Sequence, residues 1–422
     1  MLYPRDIEKE ILNELDSPRA LFILGARRTG KTSLLQRIRE QLPSGSKSLY
    51  IDFEDPDALS IVKTGYKSFL AYIDGLGFSP GQKVYVFLDE IQYLRDFASF
   101  IKLLVDHHSK RVKLILSGSS AAQIKFQFKD SLVGRKFIYE LFPLTFREFV
   151  VFKEEQNLVR LLGANRQQAD TDGLGFFVKD LLRYYYEYMN YGGYPEVVLA
   201  PEYAKKQKLL KEISHAYILK DIHNIFQVER LDSFNNLVKI LALQVGQLLN
   251  VSSLSRDSKT TRPTAEKYIN ILEDTFIVRR VPPLFTNKKK ELRRMPKIFF
   301  LDTGLRNYLI NNFSEFSFRT DRGQLLENTV FSAMWKNREI MDKLFFWHTA
   351  DGKEVDFILQ KGVDYIPFEV KVKRTAVNHL KIFAELYNSP EMNLVRLDPG
   401  AISEGSYGQT SANIQVIPPW VI

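Results

Sequence analysis

The segment that most constrains this chain is Gly-Ala-Arg-Arg-Thr-Gly-Lys-Thr at residues 25–32, a full match to the phosphate-binding pattern G-x-x-x-x-G-K-[ST]. The apolar run Ala20–Leu24 precedes it, as a buried parallel strand would, and residues 31–41 read as a helix. A glycine loop between a strand and a helix points backbone N–H groups at phosphate oxygens. The pattern therefore predicts an α/β fold with a parallel sheet that binds a nucleoside triphosphate.

Each position of this loop has an expected role. The ammonium of Lys31 is expected to reach the β- and γ-phosphates, and the hydroxyl of Thr32 is expected to ligate Mg²⁺. We take ATP and Mg²⁺ as the cofactors. The residues expected to contact the nucleotide are Gly25, Arg28, Thr29, Gly30, Lys31, Thr32 and Ser33.

An acidic pair, Asp89 and Glu90, directly follows the third predicted strand, residues 84–88. Four apolar residues followed by two acids form a Walker B pattern. Because parallel sheets bind ligands at the carboxyl ends of their strands, Asp89 is expected to hold the Mg²⁺. Glu90 is expected to act as the general base for the attacking water, and the alternative is a solvated acid at a strand end.

Two more polar residues are candidates for this site. Ser117 directly follows the fourth predicted strand, residues 112–116. It is expected to orient the attacking water and to sense the γ-phosphate, and the alternative is that it belongs to an ordinary turn. Arg135 is expected near the same end of the sheet as an arginine finger, acting in cis or on a neighbouring subunit. The alternative is an arginine with a surface or structural role.

Composition sets limits on the rest of the chain. With 422 residues, two or three domains are expected. The formal net charge of +9 is compatible with a polyanionic partner, and the absence of cysteine excludes disulfides, thiolate zinc sites and cysteine nucleophiles. No apolar run of about 18 residues and no apolar stretch at the start are present, so we expect a cytoplasmic protein without a membrane partner.

Residues 233–303 resemble a winged helix. Two helical segments, 252–256 and 264–275, are followed by a predicted hairpin, and Thr264 is expected to cap the second helix. Cations suited to phosphate contacts lie at the hairpin tip, namely Lys288, Lys289, Lys290, Arg293 and Arg294. DNA is therefore a candidate partner, and the alternatives are a solvated charge run and a module for protein contacts.

The last hundred residues contain a second constellation. Glu369 and Lys371 are two apart on a predicted strand, so they face the same side. Asp356 lies on a strand expected to pair with it, and Glu327 lies on the preceding predicted helix. This arrangement resembles the core of PD-(D/E)XK nucleases, although Val355 stands where that family usually has proline.

The nuclease resemblance implies that Glu327, Asp356 and Glu369 bind a second Mg²⁺ or Mn²⁺ and that Lys371 supports phosphodiester hydrolysis. The alternatives are a chance surface ion pair and a retained fold without activity.

Residues 20–150 resemble an AAA+-like ATPase of the archaeal and bacterial type with a G-x-R-R-x-G-K-T loop, followed by the C-terminal domain of unknown function that usually accompanies it. Besides the loop, the matching segments of the ATPase are 88–92, 117–120, 134–135 and 143–149. Those of the second part are 192–195, 219–222, 300–305, 322–323 and 327–328.

Three domains and one connecting region are predicted: an ATPase domain (1–155), a helical linker or lid (156–232), a winged-helix-like domain (233–303) and a PD-(D/E)XK-like α/β domain (304–422). The expected function is ATP-controlled action on nucleic acid, with nuclease activity left open. The alternative is a nucleotide-dependent switch or assembly protein with an inert nuclease fold, and a homo-oligomer is compatible with both.

Overall fold

The computed structural model describes residues 2–63, 65–78, 81–119, 124, 132–163, 171–216, 230–285, 295–349, 351–373, 378–397 and 413–422. These residues divide into two compact units. The N-terminal unit comprises Met1–Phe142 and the short segment Asp274–Phe276, and the C-terminal unit comprises Pro143–Glu273 and Ile277–Ile422. The finer divisions predicted within 156–422 stay predictions.

The N-terminal unit contains one five-stranded sheet. Its strands are β1 (Ala20–Leu24), β2 (Lys47–Asp52), β3 (Val84–Asp89), β4 (Val112–Gly118) and β5 (Lys136–Glu140). They are ordered β2-β3-β4-β1-β5, and every neighbouring pair is parallel. The three inner strands are buried along their full length, which is why they read as continuous apolar runs. The predicted parallel α/β sheet is confirmed.

Helices cover this sheet. They are α1 (Glu8–Asn13), α2 (Lys31–Glu40), α3 (Pro56–Lys63), α4 (Tyr66–Gly75) and α5 (Phe97–His108). Helices α1 and α2 bury their apolar stripes against the sheet, and the resulting core includes Ile11, Leu34 and Ile38 from the helices and Leu21, Ile23 and Phe87 from the strands. Because α2 begins directly after the phosphate loop, this packing fixes the position of the loop.

The C-terminal unit begins with a helical part. Its helices are α6 (Phe146–Phe152), α7 (Gln156–Gly163), α8 (Thr171–Tyr191), α9 (Pro195–Leu199), α10 (Tyr203–Ile213) and α11 (Leu231–Leu243). Helix α6 starts with a capping box, in which the side chains of Thr145 and Glu148 each accept a hydrogen bond from the other's backbone N–H. This cap explains why threonine and glutamate lie three residues apart within the 143–149 segment. The residues of the 219–222 segment lie outside the described part of the chain.

The predicted helix-turn-helix and hairpin have the expected secondary structure. Helices α12 (Val251–Asp257) and α13 (Arg262–Asp274) are followed by the antiparallel strands β6 (Val278–Val281) and β7 (Lys297–Phe300). The cap prediction was wrong by one turn. The hydroxyl of Thr261 accepts a hydrogen bond from the backbone N–H of Thr264, because the helix starts earlier than predicted. Lys288, Lys289, Lys290, Arg293 and Arg294 lie outside the described residues, and the winged-helix identity stays a prediction.

A mixed sheet forms the end of the C-terminal unit. Its strands are β8 (Lys343–His348), β9 (Glu354–Lys361), β10 (Asp364–Lys371), β11 (Glu391–Arg396) and β12 (Asn413–Ile417), in the order β12-β11-β10-β9-β8. Strands β8, β9 and β10 are antiparallel, whereas β10, β11 and β12 are parallel. Three helices accompany it: α14 (Thr303–Leu309), α15 (Arg322–Asn337) and α16 (Asn378–Tyr387).

Helix α15 is fastened to β7 through one side chain. The amide of Asn328 donates to the carbonyl oxygen of Phe300 at 3.0 Å and accepts from its N–H at 2.8 Å. A fully buried amide that imitates a neighbouring strand satisfies both backbone groups. As a result, Glu327, the preceding residue of α15, lies next to Lys297 at the start of β7.

The glycine-rich segment at 192–195 has a packing role. The carboxylate of buried Asp302 accepts hydrogen bonds from the backbone N–H groups of Gly193, at 2.7 Å, and Leu305, at 2.8 Å. A β-carbon on Gly192 would lie 2.3 Å from this carboxylate, and its φ of +75° also favours glycine. Asp302 therefore caps α14 and holds it against the end of α8.

Candidate functional site

The phosphate loop lies between β1 and α2 at the carboxyl edge of the parallel sheet. A β-carbon on Gly25 would lie 2.1 Å from the carbonyl oxygen of Leu141, so only glycine fits there. Gly30, at the entry to α2, has a left-handed φ of 94°. The guanidinium of Arg5 donates to the carbonyl of Thr29 at 2.8 Å, a support that the sequence did not suggest. Thr32 and Ser33 are exposed on the first turn of α2.

Lys31 is buried within this loop. Its ammonium donates to the carbonyl oxygens of Gly25 and Ala26, at 3.3 and 3.1 Å, and lies 3.7 Å from Oε1 of Glu90. Burial lowers the pKa of Lys31 below its ordinary value, and the charges of Glu90 and Asp89 oppose this shift without reversing it. The ammonium thus lies between the loop and the acids that follow β3, where a phosphate would be bound.

Asp89 is the best-connected acid of the site. Its Oδ2 accepts hydrogen bonds of 2.6 Å from the hydroxyls of Thr32 and Tyr50. Its Oδ1 accepts from the hydroxyl of Ser117 and, at 3.2 Å, from the N–H of Glu90. Burial and the bond to Asp89 raise the pKa of Tyr50, so that hydroxyl remains a donor. Hard oxygen ligands from a threonine and an aspartate in contact suit Mg²⁺.

Glu90 follows Asp89 in a left-handed backbone conformation, with a φ of 53°. One of its carboxylate oxygens, Oε2, accepts hydrogen bonds from the side chains of Gln92, at 2.5 Å, and Ser119, at 3.0 Å. Gln92 also donates to the hydroxyl of Ser119 at 2.9 Å. These two polar residues hold the carboxylate beside Lys31, and sequence reasoning assigned neither of them a role.

The expected role of Ser117 needs correction. Its side chain is completely buried, and its hydroxyl donates to Asp89 and accepts from the N–H of Glu90 at 3.1 Å. Ser117 therefore supports the two acids from beneath instead of facing the reacting phosphate. The hydroxyl of Ser119, two residues later, contacts the carboxylate of Glu90. Ser120, at the end of the same motif, lies outside the described residues.

The expected position of Arg135 was also wrong. The residue precedes β5, and its carbonyl accepts a hydrogen bond from the N–H of Ala20, at the start of β1. Because β1 and β5 are parallel, Arg135 lies at the amino edge of the sheet, opposite the phosphate loop. Its guanidinium forms an ion pair with Asp106 at 2.5 Å. A role in cis is excluded by this geometry, and a role on a neighbouring subunit stays a prediction.

The acidic residues of the C-terminal constellation come together. The ammonium of Lys371 lies 2.7 Å from Oε1 of Glu369 and 3.3 Å from Oδ2 of Asp356. The same Asp356 oxygen accepts a 2.7 Å hydrogen bond from the N–H of Val370, which joins β9 to β10. The other oxygen of Glu369, Oε2, is buried and has no hydrogen-bond partner among the residues that the structure describes.

A further lysine, which is buried and which the sequence did not indicate, completes this cluster. Lys297 on β7 contacts Glu327 at 3.2 Å and Glu354 at 2.6 Å. Burial raises the pKa of Glu327 to about 8, and burial followed by the charge of Asp356 raises the pKa of Glu369 to about 7. In the described part of the chain, no three histidine, aspartate or glutamate side chains are arranged to hold a metal ion. Two ammonium groups lie among these carboxylates instead.

Comparison with protein families agrees with the N-terminal geometry. Residues 17–150 match the family model described as an AAA domain. The parallel five-stranded sheet of the N-terminal unit matches that of a P-loop NTPase. This similarity supports nucleotide binding and hydrolysis. Residues 182–315 and 322–418 match two models described as domains of unknown function, DUF8612 and DUF4143.

Two relatives that match most of the chain are described as uncharacterized proteins. An uncharacterized protein of Haemophilus influenzae is 28% identical over 357 residues, covering 82% of this chain and 81% of that protein. One from Methanocaldococcus jannaschii is 26% identical over 361 residues, covering 84% and 74%. Among solved structures, the Walker-type ATPase PABY2304 of Pyrococcus abyssi is 15% identical, with 73% of this chain and 95% of that chain covered and a TM-score of 0.46.

The described helices were also compared with the requirements of a membrane span. None of them is both long enough and apolar enough to cross a bilayer.

Proposed function

We propose that this protein hydrolyses ATP in a Mg²⁺-dependent reaction at the N-terminal site. The observation that carries the proposal is the 2.6 Å contact between the hydroxyl of Thr32 and the carboxylate of Asp89. Lys31 and Glu90, 3.7 Å apart, lie beside this pair at the same edge of the sheet. A phosphate-binding cation, two oxygen ligands for Mg²⁺ and a carboxylate base are the groups that phosphoryl transfer to water requires.

The chemistry of each residue follows from this arrangement. Backbone N–H groups of the loop and the ammonium of Lys31 bind the β- and γ-phosphates. Thr32 and Asp89 would hold Mg²⁺, which when bound neutralises negative charge on the phosphates. Glu90 accepts a proton from the attacking water while the water oxygen forms a bond to the γ-phosphorus. The bond from that phosphorus to the oxygen bridging to the β-phosphate breaks, and ADP and inorganic phosphate leave.

Measurement of phosphate release tests this proposal. Lys31→Ala should remove most ATP affinity, because it deletes the buried ammonium of the loop. Glu90→Gln should keep ATP bound but lower turnover by about 10²- to 10⁴-fold, since the amide cannot accept the proton. The control is Arg39→Ala, which removes an exposed arginine of α2 that contacts only Ser48 among the contacts described for it. Unchanged phosphate release in Glu90→Gln would show that another group activates the water.

Action on nucleic acid is the finer part of the proposal. It is supported by the net charge of +9 and by the five cations of the 288–294 segment. Replacing Lys288, Lys289 and Lys290 with serine should weaken DNA binding equally for all sequences and reduce its dependence on salt. An unchanged slope of log affinity against log salt concentration would contradict a phosphate-binding role. DNA that stimulates ATP turnover would support coupling between the two activities.

A second candidate function, metal-dependent phosphodiester hydrolysis, is favoured by one observation. The ammonium of Lys371 touches both Asp356 and Glu369, while Oε2 of Glu369 is buried and has no partner among the described residues. With Glu327, these carboxylates would hold Mg²⁺ or Mn²⁺, which when bound lowers the pKa of water. Lys371 would stabilise the negative charge that develops on the phosphate. For a metal ion to bind there, the ammonium groups of Lys297 and Lys371 would have to move away from these carboxylates.

A nicking assay on supercoiled DNA separates this candidate from the alternative of an inert fold that serves as a switch or an assembly module. Purified protein should nick DNA with Mn²⁺, with and without ATP, and EDTA should stop it. Asp356→Ala should abolish nicking and keep the ATPase, whereas the exposed control Lys343→Ala should retain both. Absence of nicking, together with no Mn²⁺ binding by calorimetry, would favour the inert alternative.

A homo-oligomer with Arg135 acting on the neighbouring subunit is the last part of the proposal. Arg135→Ala should then lose hydrolysis but keep ATP binding, and mixing with Lys31→Ala protein should restore part of the turnover. Because Arg135 pairs with Asp106 in its own subunit, Asp106→Asn is the matched control for loss of that ion pair. Full turnover by Arg135→Ala would leave the arginine with a structural role.

A further inference from the structure

Arg27 is the third residue of the phosphate loop, and its side chain forms an ion pair with a residue outside the loop. Its Nη2 lies 2.9 Å from Oε1 of Glu54. Both side chains are accessible to solvent, with 36% and 45% of their surface exposed. Glu54 lies in the turn after β2, where its N–H donates to Asp52 at 2.9 Å. The ion pair therefore joins the loop to the end of a strand at the far side of the sheet.

The strand order shows what lies beneath this ion pair. Strands β3 and β4 lie between β2 and β1, so the line from the loop to Glu54 crosses the carboxyl ends of both. Asp89 and Glu90 follow one of them, and Asp89 pairs directly with Asp52 in the sheet. Burial is the main cause that lowers the pKa of Lys31, and the charge of Arg27 lowers it further.

We propose that Arg27 is a catalytic residue of ATP hydrolysis, which leaves Glu54 and contacts the γ-phosphate when the nucleotide is bound. The inference rests on the proposed ATPase function. Its guanidinium would supply, from the phosphate loop of the same chain, the positive charge that an arginine finger contributes in other nucleotide hydrolases. Arg135 cannot do so within one chain, because it lies at the opposite edge of the sheet.

The chemistry of the step assigns Arg27 no proton. A guanidinium stays protonated, so it neither donates a proton to the leaving group nor takes one from the water. Water oxygen bonds to the γ-phosphorus, Glu90 takes the proton, and the bond to the bridging oxygen breaks with its electrons remaining on ADP. Arg27 stabilises charge on the γ-phosphoryl oxygens during this transfer. Exposed ion pairs contribute little to stability, so Glu54 holds the guanidinium only weakly near the phosphate-binding site.

Opposite effects of two substitutions test the proposal. Arg27→Ala should lower kcat by about 10³-fold and change ATP affinity by less than about threefold, because the arginine acts mainly on transition-state charge. Glu54→Gln should keep kcat at or above that of the parent protein, because it removes the charge that competes with the γ-phosphate for the guanidinium and leaves the arginine in place. An ion pair that only holds the loop in shape predicts equal losses in both variants, and that result would overturn the proposal.

Chemical rescue gives a readout that a structural role would not move. Guanidinium chloride at millimolar concentration should restore part of the turnover of Arg27→Ala, whereas sodium chloride at equal ionic strength should not. Arg27→Ala should also lose affinity for ADP with aluminium fluoride, a mimic of the transferring phosphoryl group, more than for ADP alone. Arg39→Ala, an exposed arginine of α2, is the control in each assay. Full turnover in Arg27→Ala, or equal losses for both ligands, would overturn the proposal.

Failure of the ATPase itself is recognised separately. Lys31→Ala and Glu90→Gln are measured in the same series. Phosphate release that persists in both of those variants would overturn the proposed function and, with it, the role of Arg27. Phosphate release that is lost in both but kept in Arg27→Ala would overturn the role of Arg27 alone.

Discussion

The hydroxyl of Thr32 donates a 2.6 Å hydrogen bond to Oδ2 of Asp89, 57 positions further along the chain. Thr32 lies in the first turn of α2 and Asp89 ends β3, so their contact depends on the parallel arrangement of β1, β4 and β3. The contact also brings the two predicted Mg²⁺ ligands together without any rearrangement of the sheet. Glu90, which follows Asp89, lies 3.7 Å from the ammonium of Lys31 at the same edge of the sheet.

Asp89→Asn should abolish Mg²⁺-dependent turnover and leave the fold intact. The amide keeps the size of the carboxylate and can still accept hydrogen bonds from Thr32 and Tyr50, but it removes the charge that binds the cation. Phosphate release should fall at least about 100-fold, as expected for loss of metal-assisted charge neutralisation. Circular dichroism and thermal unfolding provide the check on folding. Turnover that survives at saturating Mg²⁺ would contradict the assignment of Asp89.

Gln92→Ala should slow hydrolysis without weakening ATP binding. The Gln92 amide donates to Oε2 of Glu90 and to Ser119, so its removal leaves the base less well oriented. We expect kcat to fall about tenfold, a part of the 10²- to 10⁴-fold that a positioned base contributes. The matched control is Arg95→Ala, an exposed position nearby in the chain. A change in the Kd of ATP with kcat intact would contradict this positioning role.

Lys297→Met should destabilise the C-terminal unit. The side chain is 4% exposed and contacts both Glu327 and Glu354, so the substitution leaves a buried carboxylate without its cation. Removal of one member of a buried ion pair costs about 3 kcal/mol. Urea unfolding at pH 9, where Glu327 is ionised in the parent protein, should show this loss, and adding Glu327→Gln should recover part of it, because the uncompensated charge is gone. Lys343→Ala, at an exposed position, serves as the control.

The stability of the same cluster should depend on pH. The pKa of Glu327 is raised to about 8 and that of Glu369 to about 7, above the ordinary 4.5, so the folded protein binds protons that the unfolded chain releases. Stability from these groups is therefore present below about pH 4.5 and is lost as the pH rises through about 7 and 8. Each retained proton contributes a slope of up to about 1.4 kcal/mol per pH unit.

Urea midpoints between pH 5 and pH 9, in the presence of EDTA, measure this dependence. The variant with Glu327→Gln and Glu369→Gln should show a flatter profile than the parent protein, since neither side chain can then exchange a proton. Identical profiles for the two proteins would contradict the raised pKa values.

The contacts that could be predicted from the sequence are those fixed by local spacing. The loop at 25–32 lies between a strand and a helix in a single local segment, so its position was readable without knowing the sheet. The acids that follow β3 were readable too, because the apolar run before them marks a buried strand. The same-face pair Glu369 and Lys371 follows from the two-residue period of a strand.

Contacts that depend on strand order could not be predicted from the sequence. Tyr50 reaches Asp89 only because β2 lies beside β3, and Lys297 reaches Glu327 only because α15 is fastened to β7. The error for Arg135 has a plainer cause. A residue that precedes a strand in a parallel sheet lies at the amino edge, whereas ligands bind at the carboxyl edge.

The segment Asp274–Phe276, which belongs to the N-terminal unit although it lies far along the chain, has a genetic consequence. The ring of Phe276 packs against that of Phe142 at 5.8 Å, and its side chain is 2% exposed. A gene fragment that stops after Phe142 therefore encodes an incomplete unit with an uncovered apolar surface. A chimera that exchanges the ATP-binding part between relatives must carry these three residues as well, so recombination at a single point would separate parts that fold together.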